Sequence, residues 1–247
     1  MIFKLGSSMT KNLMFLLVIC MFSFVNFGCT DTKEAEKLES SPSAETAIEA
    51  AVPISSDLEA PKWIEGTHYN IISDELSAKK EVVEYFSFWC PACYRFEPIV
   101  NRIKSGLAED VSFRKVHVNF MRFTTPEIQD EATKAMLIAR QMGNENLLNA
   151  AIFAHIHEQG KKIESMNDLK QLSISYDISE ADFNRRLNDT ALSDELSQNN
   201  NEIMKFKEHV KSVPNIIVNG KYQATFTREM TTIQDIVDLV NWLGEQD

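Results

Sequence analysis

The stretch that decides the fold is Val82–Pro98, which reads VVEYFSFWCPACYRFEP. Its first half is apolar and rich in β-branched and aromatic side chains, which is typical of a buried strand. Cys90 follows at once, and Pro91 stands where a helix can begin, because a proline at the first helical position loses no hydrogen bond. The pattern therefore predicts a strand, then Cys90 at a helix N-cap, then a helix that runs from Pro91 toward Lys104.

The predicted position of Cys90 indicates a reactive thiol. The free N–H groups and the positive dipole end of a helix N-terminus favour a thiolate. A lowered pKa makes a thiol a better nucleophile near neutral pH and a better leaving group. Cys90 is then the exposed attacking cysteine, and Cys93, one turn into the helix, is the partly covered cysteine that resolves a mixed disulfide.

The pair has two other interpretations, a static disulfide and half of a zinc site. A structural zinc ion needs four ligands, usually from a second close pair. The chain has no second CxxC motif, although His155 and His157 are conceivable partners. The strand–CPAC–helix context favours a redox pair, and we expect no metal site and no cofactor.

Four segments together resemble one protein family. Phe86–Pro98 is similar to the active-site segment of the DsbA family, which are thioredoxin-like thiol:disulfide oxidoreductases of the bacterial periplasm. Gly66–Ile72 resembles the short first strand of that family, and Lys115–Met121 (KVHVNFM) the stretch that follows its next core strand. Val213–Tyr222 (VPNIIVNGKY) resembles the segment that carries its cis-proline. The similarity runs from about Pro61 to the C-terminus.

The order of the predicted elements is strand, helix and strand, then a block of helices, then a hairpin across Asn219-Gly220 and a last helix. Periodicity alone leaves α/β and α+β classes open. The resemblance implies an α/β protein with a thioredoxin-like fold and an inserted all-helical domain. We expect the domain at residues 61–247 and the insertion at about 122–211. Val111–Asn119 alternates poorly, so we expect a strand that is buried on both faces.

The resemblance also implies roles for residues outside the CPAC motif. Glu84 lies in an apolar run, where a buried carboxylate has a raised pKa unless it is paired. In the family, an acid and a lysine at the positions of Glu84 and Lys115 lie beneath the active site, and the acid helps to move the proton of the buried cysteine. Pro214 is implied to be cis and to lie against the CxxC pair, which leaves the backbone of Val213 free to pair with a substrate strand. The alternatives are a solvent-facing Glu84 and a trans proline at the start of an edge strand.

Ala92 departs from the best-known motif of the family, which has histidine between the proline and the second cysteine. A charged histidine there stabilises the thiolate, and alanine does not. We therefore predict a pair that is less oxidising than the DsbA with that histidine, whose potential is about −120 mV.

The N-terminal region predicts export. Lys4 and Lys11 precede the apolar stretch Leu13–Phe27, which has the length of a signal-peptide core and is short for a membrane-spanning helix. Gly28-Cys29 resembles a bacterial lipoprotein cleavage site, although Asn26 and Phe27 fit that pattern imperfectly. We expect a signal peptide at residues 1–28 and lipidation of Cys29; ordinary cleavage nearby and an uncleaved anchor are the alternatives.

Residues 29–60 change in character. Thr30–Ala60 contains eight acidic residues, two lysines and no aromatic residue. This composition predicts a solvated, flexible tether, although a short helix through Ala44–Ala51 remains an alternative. The net charge of the whole chain, −11, argues against a nucleic-acid partner.

The leading functional hypothesis is a periplasmic thiol:disulfide oxidoreductase, anchored to a membrane through Cys29, that introduces disulfides into exported proteins through the Cys90–Cys93 pair. The family resemblance implies a quinone-linked membrane oxidase similar to DsbB as partner. A reductase or isomerase that a membrane protein keeps reduced is the second hypothesis, since the same motif serves both directions. A CxxC metal-binding lipoprotein is the third.

Overall fold

The structure is a computed structural model that describes residues 62–246. The expected signal peptide, Cys29 and the acidic segment 29–60 lie outside the described residues. Among residues 62–246, no helix combines the length and the apolar character that crossing a bilayer requires.

The described chain forms one five-stranded sheet with helices around it. The strands are β1 (Tyr69–Ile71), β2 (Glu81–Phe86), β3 (Ser112–His117), β4 (Asn215–Val218) and β5 (Tyr222–Ala224). The helices are α1 (Pro91–Gly106), α2 (Pro126–Gln141), α3 (Glu145–His157), α4 (Met166–Ile174), α5 (Glu180–Leu187), α6 (Thr190–Lys205) and α7 (Ile233–Gly244). The sheet order is β1-β5-β4-β2-β3; the β2–β3 pair is parallel, and the other pairs are antiparallel. Five helices, α2 to α6, separate β3 from β4, as expected for an inserted helical domain.

β2 is covered by helices on both faces. Val82 packs with the core residues of α1 and α7, whereas Val83 and Tyr85 pack with Phe206 at the end of α6. Successive strand residues point to opposite faces, so this division follows from the alternation along the strand. It explains why the run before Cys90 is almost uninterruptedly apolar.

β3 is the edge strand beside β2, and only its second half is buried. Ser112 is exposed, whereas Val116 and His117 are buried. The expectation that Val111–Asn119 is buried on both faces is therefore wrong for its first half. The edge position explains the difference, because β3 has a neighbouring strand on one side only.

The helical insertion shares its core with the active-site segment. Met136 of α2, Phe153 of α3 and Phe183 of α5 belong to the same buried cluster as Phe88 and Cys93. The end of β2 and the first turn of α1 are thus packed against the insertion.

The β4–β5 hairpin turns at Asn219 and Gly220, as predicted. Both residues have positive φ angles, 51° and 65°, which is the conformation that an Asn-Gly pair adopts most readily in a two-residue hairpin. The Asn219 side chain also accepts a hydrogen bond from the Glu81 N–H and donates one to the Gly244 carbonyl. The turn therefore fixes β4 to the start of β2 and to the end of α7.

Candidate active site

Cys90 is the N-cap residue of α1, and its sulfur takes the place of a capping oxygen. Its backbone is extended, Pro91 begins the helix, and the Cys93 N–H donates to Cys90 Sγ at 3.1 Å. The hydrogen bond from the Cys93 thiol lowers the pKa of Cys90 to about 6, against the opposing effect of burial; the backbone N–H groups of Cys93 and Ala92 and the charge of Arg95 lower it further. A substantial fraction of Cys90 is therefore thiolate at neutral pH.

Cys93 has the opposite environment one turn further along the same helix. Its side chain is fully buried, and burial raises the pKa of Cys93, as does its hydrogen bond to Cys90. Both cysteines are free thiols in the structure. Cys90 is only 4% exposed, which is less than expected for an attacking thiol. The Val213 carbonyl explains part of this cover, because the Cys90 thiol donates to it at 3.4 Å.

The loop before β4 lies against the CPAC motif. The Val213–Pro214 peptide bond is cis, as the resemblance implies, and the Val213 carbonyl contacts Cys90. The structure thus brings together Cys90, Cys93, Val213 and Pro214, which are separated by about 120 residues in sequence.

A buried cluster of two acids and one lysine lies on the α1 face of β2 and β3. Glu84 and Lys115 are paired residues of the two strands, and their side chains are 0% and 4% exposed. Lys115 Nζ lies 3.0 Å from Glu84 Oε2 and directs its hydrogen bond to Glu97 Oε1 of α1. Neither carboxylate oxygen of Glu84 has a directed hydrogen bond within the described residues. The ion pair with Lys115 is therefore the main interaction of the Glu84 carboxylate.

Burial and the neighbouring charges shift the pKa values of both Glu84 and Lys115. Burial raises the pKa of Glu84 to about 7, although the Lys115 charge lowers it. Burial lowers the pKa of Lys115, but the Glu84 and Glu97 carboxylates outweigh it, so the net shift is upward. Glu84 can therefore hold or release a proton near neutral pH while Lys115 stays charged. The Glu84 charge also raises the pKa of Cys93, which couples the two groups.

Two histidines hold the backbone of Phe88, two residues before Cys90. The Phe88 N–H donates to His117 Nε2 at 3.2 Å, so His117 carries its proton on Nδ1, 2.8 Å from the Thr133 hydroxyl. Burial lowers the pKa of His117 to about 3, which keeps this ring neutral. On the other side, His157 Nε2 donates to the Phe88 carbonyl at 2.8 Å, and the His157 ring stacks on Tyr94. The insertion therefore helps to fix the segment that presents Cys90.

Known proteins with a similar sequence show which family this chain belongs to. The thioredoxin family model matches residues 68–238. The thiol:disulfide interchange protein DsbA of Haemophilus influenzae is 32% identical over 162 residues, which cover 64% of this chain and 75% of that protein. The chain belongs to the DsbA family. It is a thiol:disulfide oxidoreductase with the thioredoxin-like fold that the sequence resemblance implies.

Two further comparisons cover more of the chain. DsbA of Escherichia coli K12 is 26% identical over 205 residues, which cover 80% of this chain and 96% of that protein. The crystal structure of DsbA from Proteus mirabilis superposes with a TM-score of 0.65 at 25% identity and covers 74% of this chain and 98% of that one. The family similarity therefore includes the helical insertion as well as the sheet.

Sequence reasoning missed two residues of this site. Glu97 stands four positions after Cys93, on the same face of α1, and this spacing was the available signal. From the sequence, His157 is only a conceivable zinc ligand. Its contact with Phe88 depends on how α3 packs on β2, for which the sequence carries no local signal. Among residues 62–246, no group of three or more His, Cys, Asp or Glu side chains is placed to hold a metal ion.

Proposed function

We propose that this chain donates disulfides to exported proteins through the Cys90–Cys93 pair. The observation that carries the proposal is the contrast between the two thiols. The hydrogen bond from the Cys93 thiol, together with the backbone N–H groups at the helix N-cap, lowers the pKa of Cys90 to about 6, while burial raises that of Cys93. Stabilising the Cys90 thiolate stabilises the dithiol form, and a stable dithiol form makes the disulfide form a stronger oxidant.

The reaction begins with the disulfide form. A client thiolate attacks Cys90 Sγ; the Cys90–Cys93 bond breaks, a client–Cys90 disulfide forms, and Cys93 leaves with the electron pair. Because Cys93 is buried, it leaves as a thiol that takes up one proton. We assign delivery of that proton to Glu84, whose pKa is about 7 and whose charge is coupled to Cys93. Lys115 and Glu97 hold this carboxyl group in place.

A second client thiolate then attacks the client sulfur of the mixed disulfide. The client leaves with a new disulfide, and Cys90 leaves as a thiolate, which its low pKa favours. Two electrons have passed to the chain, which ends as a dithiol. We assign Val213 and cis-Pro214 to holding the client backbone beside Cys90, because the Val213 carbonyl already contacts that sulfur. Pro91 starts α1 and so sets the position of the N-cap.

The cellular setting is part of the same proposal. We place the chain in the periplasm, with a quinone-linked membrane oxidase similar to DsbB as the partner that restores the disulfide. The relatives named DsbA and the signal peptide that the sequence predicts in residues 1–28 support this setting. We propose lipidation at Cys29, a tether over 29–60, and a catalytic domain over 61–247 with its helical insertion at about 122–211. Mass spectrometry of the mature N-terminus tests the lipid; an unmodified N-terminus that begins elsewhere contradicts it.

Cysteine substitutions test the reaction itself. Cys90→Ser is expected to abolish oxidation of a reduced client protein, with a loss of at least about 10³-fold. Cys93→Ser retains the Cys90 thiolate, which can open the disulfide of an oxidised client and release one client thiol, but it has no second thiol to resolve the product, so mixed disulfides with oxidised clients are expected to accumulate on non-reducing gels. Retained activity in Cys90→Ser, or adducts that form on Cys93 in that variant, would contradict the assignment.

Ala92 supports the reductase alternative. The position between Pro91 and Cys93 carries no charge that could stabilise the thiolate further, so the pair is expected to be less oxidising than in the DsbA with histidine there. A potential close to that of thioredoxin, about −270 mV, favours a reductase that receives electrons from a membrane protein.

A further inference from the structure

A groove beside Pro91 has no role in the reaction described above. It has a volume of about 610 Å³ and lies between the CPAC motif, the β3–α2 loop and the α3–α4 loop. We call it the lateral groove, and it is lined by Trp89, Pro91, Phe123, Ile156, Lys161 and Lys162, among others. Its size is that of an ordinary side-chain or small-ligand pocket.

The floor and wall of the lateral groove are apolar. Trp89 and Ile163 are buried at its base, and Ile128 and Ile156 are half-buried. Phe123 is 65% exposed, although it belongs to one of the most hydrophobic residue types. A large exposed aromatic ring at the edge of an apolar groove is typical of a binding surface.

The rim of the lateral groove is basic. Lys161 and Lys162 are both exposed, and neither has an ion-pair partner among residues 62–246. One carboxylate, Glu164, lies at the same rim, so the lysines exceed the acids there by two to one. This excess is notable in a chain with a net charge of −11. Charge complementarity therefore favours an occupant with an acidic side chain.

The groove is also continuous with the reaction site. Pro91 lines it and directly follows Cys90, whereas the Val213 carbonyl lies on the other side of that sulfur. An extended chain advances about 3.3 Å per residue, so a client attached to Cys90 reaches the groove within a few residues of its cysteine. Main-chain contacts at Val213 can form with a client of any sequence, whereas a side-chain pocket favours clients that carry a matching residue.

We propose that the lateral groove is a specificity subsite for the client polypeptide. It takes an aromatic or large aliphatic side chain that stands next to an acidic residue, within a few positions of the cysteine under attack. This inference rests on the proposed function, because the occupant is a client of the disulfide exchange. The competing occupant is the acidic segment 30–60 of this chain.

Peptide oxidation by the full-length protein tests the proposal. Dithiol peptides carry Phe-Glu, Phe-Lys or Gly-Gly, placed either before or after the cysteines, and the readout is the second-order rate of reduction of the Cys90–Cys93 disulfide. We expect Phe-Glu peptides to react about three- to tenfold faster than Phe-Lys peptides in at least one placement. The preference is expected to vanish at about 0.5 M NaCl, because salt screens exposed charges.

Two variants locate the effect. Lys161→Glu/Lys162→Glu is expected to reverse the preference between Phe-Glu and Phe-Lys, while the matched control Lys79→Glu/Lys207→Glu changes net charge equally and leaves the preference in place. Phe123→Ala is expected to reduce the advantage of the Phe-containing peptides over Gly-Gly peptides about threefold. None of these changes is expected to alter the oxidation of dithiothreitol, which is too small to reach the groove while it reacts.

The outcomes separate the groove from the function. Equal rates for all peptides, with normal oxidation of dithiothreitol, overturn the subsite alone. Failure to oxidise any dithiol overturns the proposed function and the subsite with it. A preference that appears only after the acids of segment 30–60 are changed to amides assigns the groove to that segment and overturns the client subsite.

Discussion

Two clusters, each of two acidic residues and one basic residue, lie on opposite faces of β2 and β3. Each joins an acid of β2, a base of β3 and an acid of a helix: Glu81, Arg114 and Glu202 on the α6 face, and Glu84, Lys115 and Glu97 on the α1 face. In the first cluster, the Arg114 guanidinium donates hydrogen bonds to both carboxylate oxygens of Glu81, at 2.8 and 3.2 Å, and the Arg114 side chain is 34% exposed. In the second, Glu84 is fully buried, and its oxygens have no directed hydrogen bond within the described residues.

The difference between the clusters separates a structural role from a chemical one. The bidentate geometry around Arg114 satisfies the charges, and the Glu81 and Glu202 carboxylates raise the pKa of Arg114 against the effect of burial. A flexible lysine in a fully buried site leaves its partner acid less well satisfied, so the pKa of Glu84 rises to about 7. We therefore propose that the cluster around Arg114 has a structural role, whereas Glu84 in the second cluster holds the proton that Cys93 takes up.

The largest expected effect comes from replacing the Glu84 carboxyl group. Glu84→Gln keeps the shape of the side chain but cannot deliver a proton to Cys93. We expect the client-driven reduction of the Cys90–Cys93 disulfide to slow about 10²-fold at pH 7, which is the low end for general acid catalysis. Stopped-flow fluorescence with a dithiol peptide measures this rate. Glu81→Gln is the matched control; an equal slowing in both variants would mean that the clusters do not differ as described.

The same substitution also changes how stability depends on pH. Because the folded pKa of Glu84 lies above its ordinary value of 4.5, the folded state holds the Glu84 proton more tightly between pH 4.5 and 7, and the contribution of Glu84 to stability falls as the pH rises through that window. The shift corresponds to about 3 kcal/mol. Lowered pKa values at Cys90 and His117 act in the opposite direction over the same window, but they are common to the wild type and both variants. Urea unfolding of the dithiol form at pH 4.5 and 7.5 is therefore expected to show a change in stability that is about 3 kcal/mol less favourable at pH 7.5 in the wild type and in Glu81→Gln than in Glu84→Gln.

Removing the Arg114 ion pairs is expected to lower stability without affecting the thiol–disulfide exchange. Arg114→Met leaves Glu81 and Glu202 without their shared base and is expected to lower the free energy of unfolding by about 1–2 kcal/mol, since these groups are partly solvated. The potential of the cysteine pair is expected to stay unchanged, as measured in glutathione buffers. A change in potential beyond about 10 mV would link the two clusters and contradict the division of roles.

The smallest expected effect comes from adding a charge to the first turn of α1. Ala92→His places an imidazole beside the Cys90 thiolate and is expected to raise the potential by about 30 mV, equivalent to ~1.4 kcal/mol for two electrons. Ala92→Gln is the neutral control for side-chain size. If both variants shift the potential equally, the effect comes from packing and the charge argument fails.

The sequence predicted the local chemistry well and the long-range contacts only in part. A strand, Cys90 and a proline-initiated helix are local features, so the N-cap position followed from the residues themselves. The inserted helical domain and the cis bond at Pro214 came from family resemblance. His157 could not be found in this way, because its contact with Phe88 depends on the packing of two distant elements.

The edge of the sheet shows another limit of sequence patterns. Weak alternation in Val111–Asn119 suggested a strand buried on both faces, yet β3 is an edge strand whose first half is partly exposed. Arg114 stands in that half and pairs across to Glu81, whereas Lys115 points to the buried face. Neighbouring basic residues of one strand thus meet opposite environments, and strand order, which periodicity does not reveal, determines which residue is buried.

The equilibrium redox potential of the Cys90–Cys93 pair tests the central claim most directly. The low pKa of Cys90 stabilises the dithiol form, and Ala92 adds no further charge, so we expect a value between those of DsbA with histidine, about −120 mV, and thioredoxin, about −270 mV, and closer to the former. Equilibration with glutathione, read by thiol alkylation, gives this value. A potential at or below that of thioredoxin would contradict a disulfide donor.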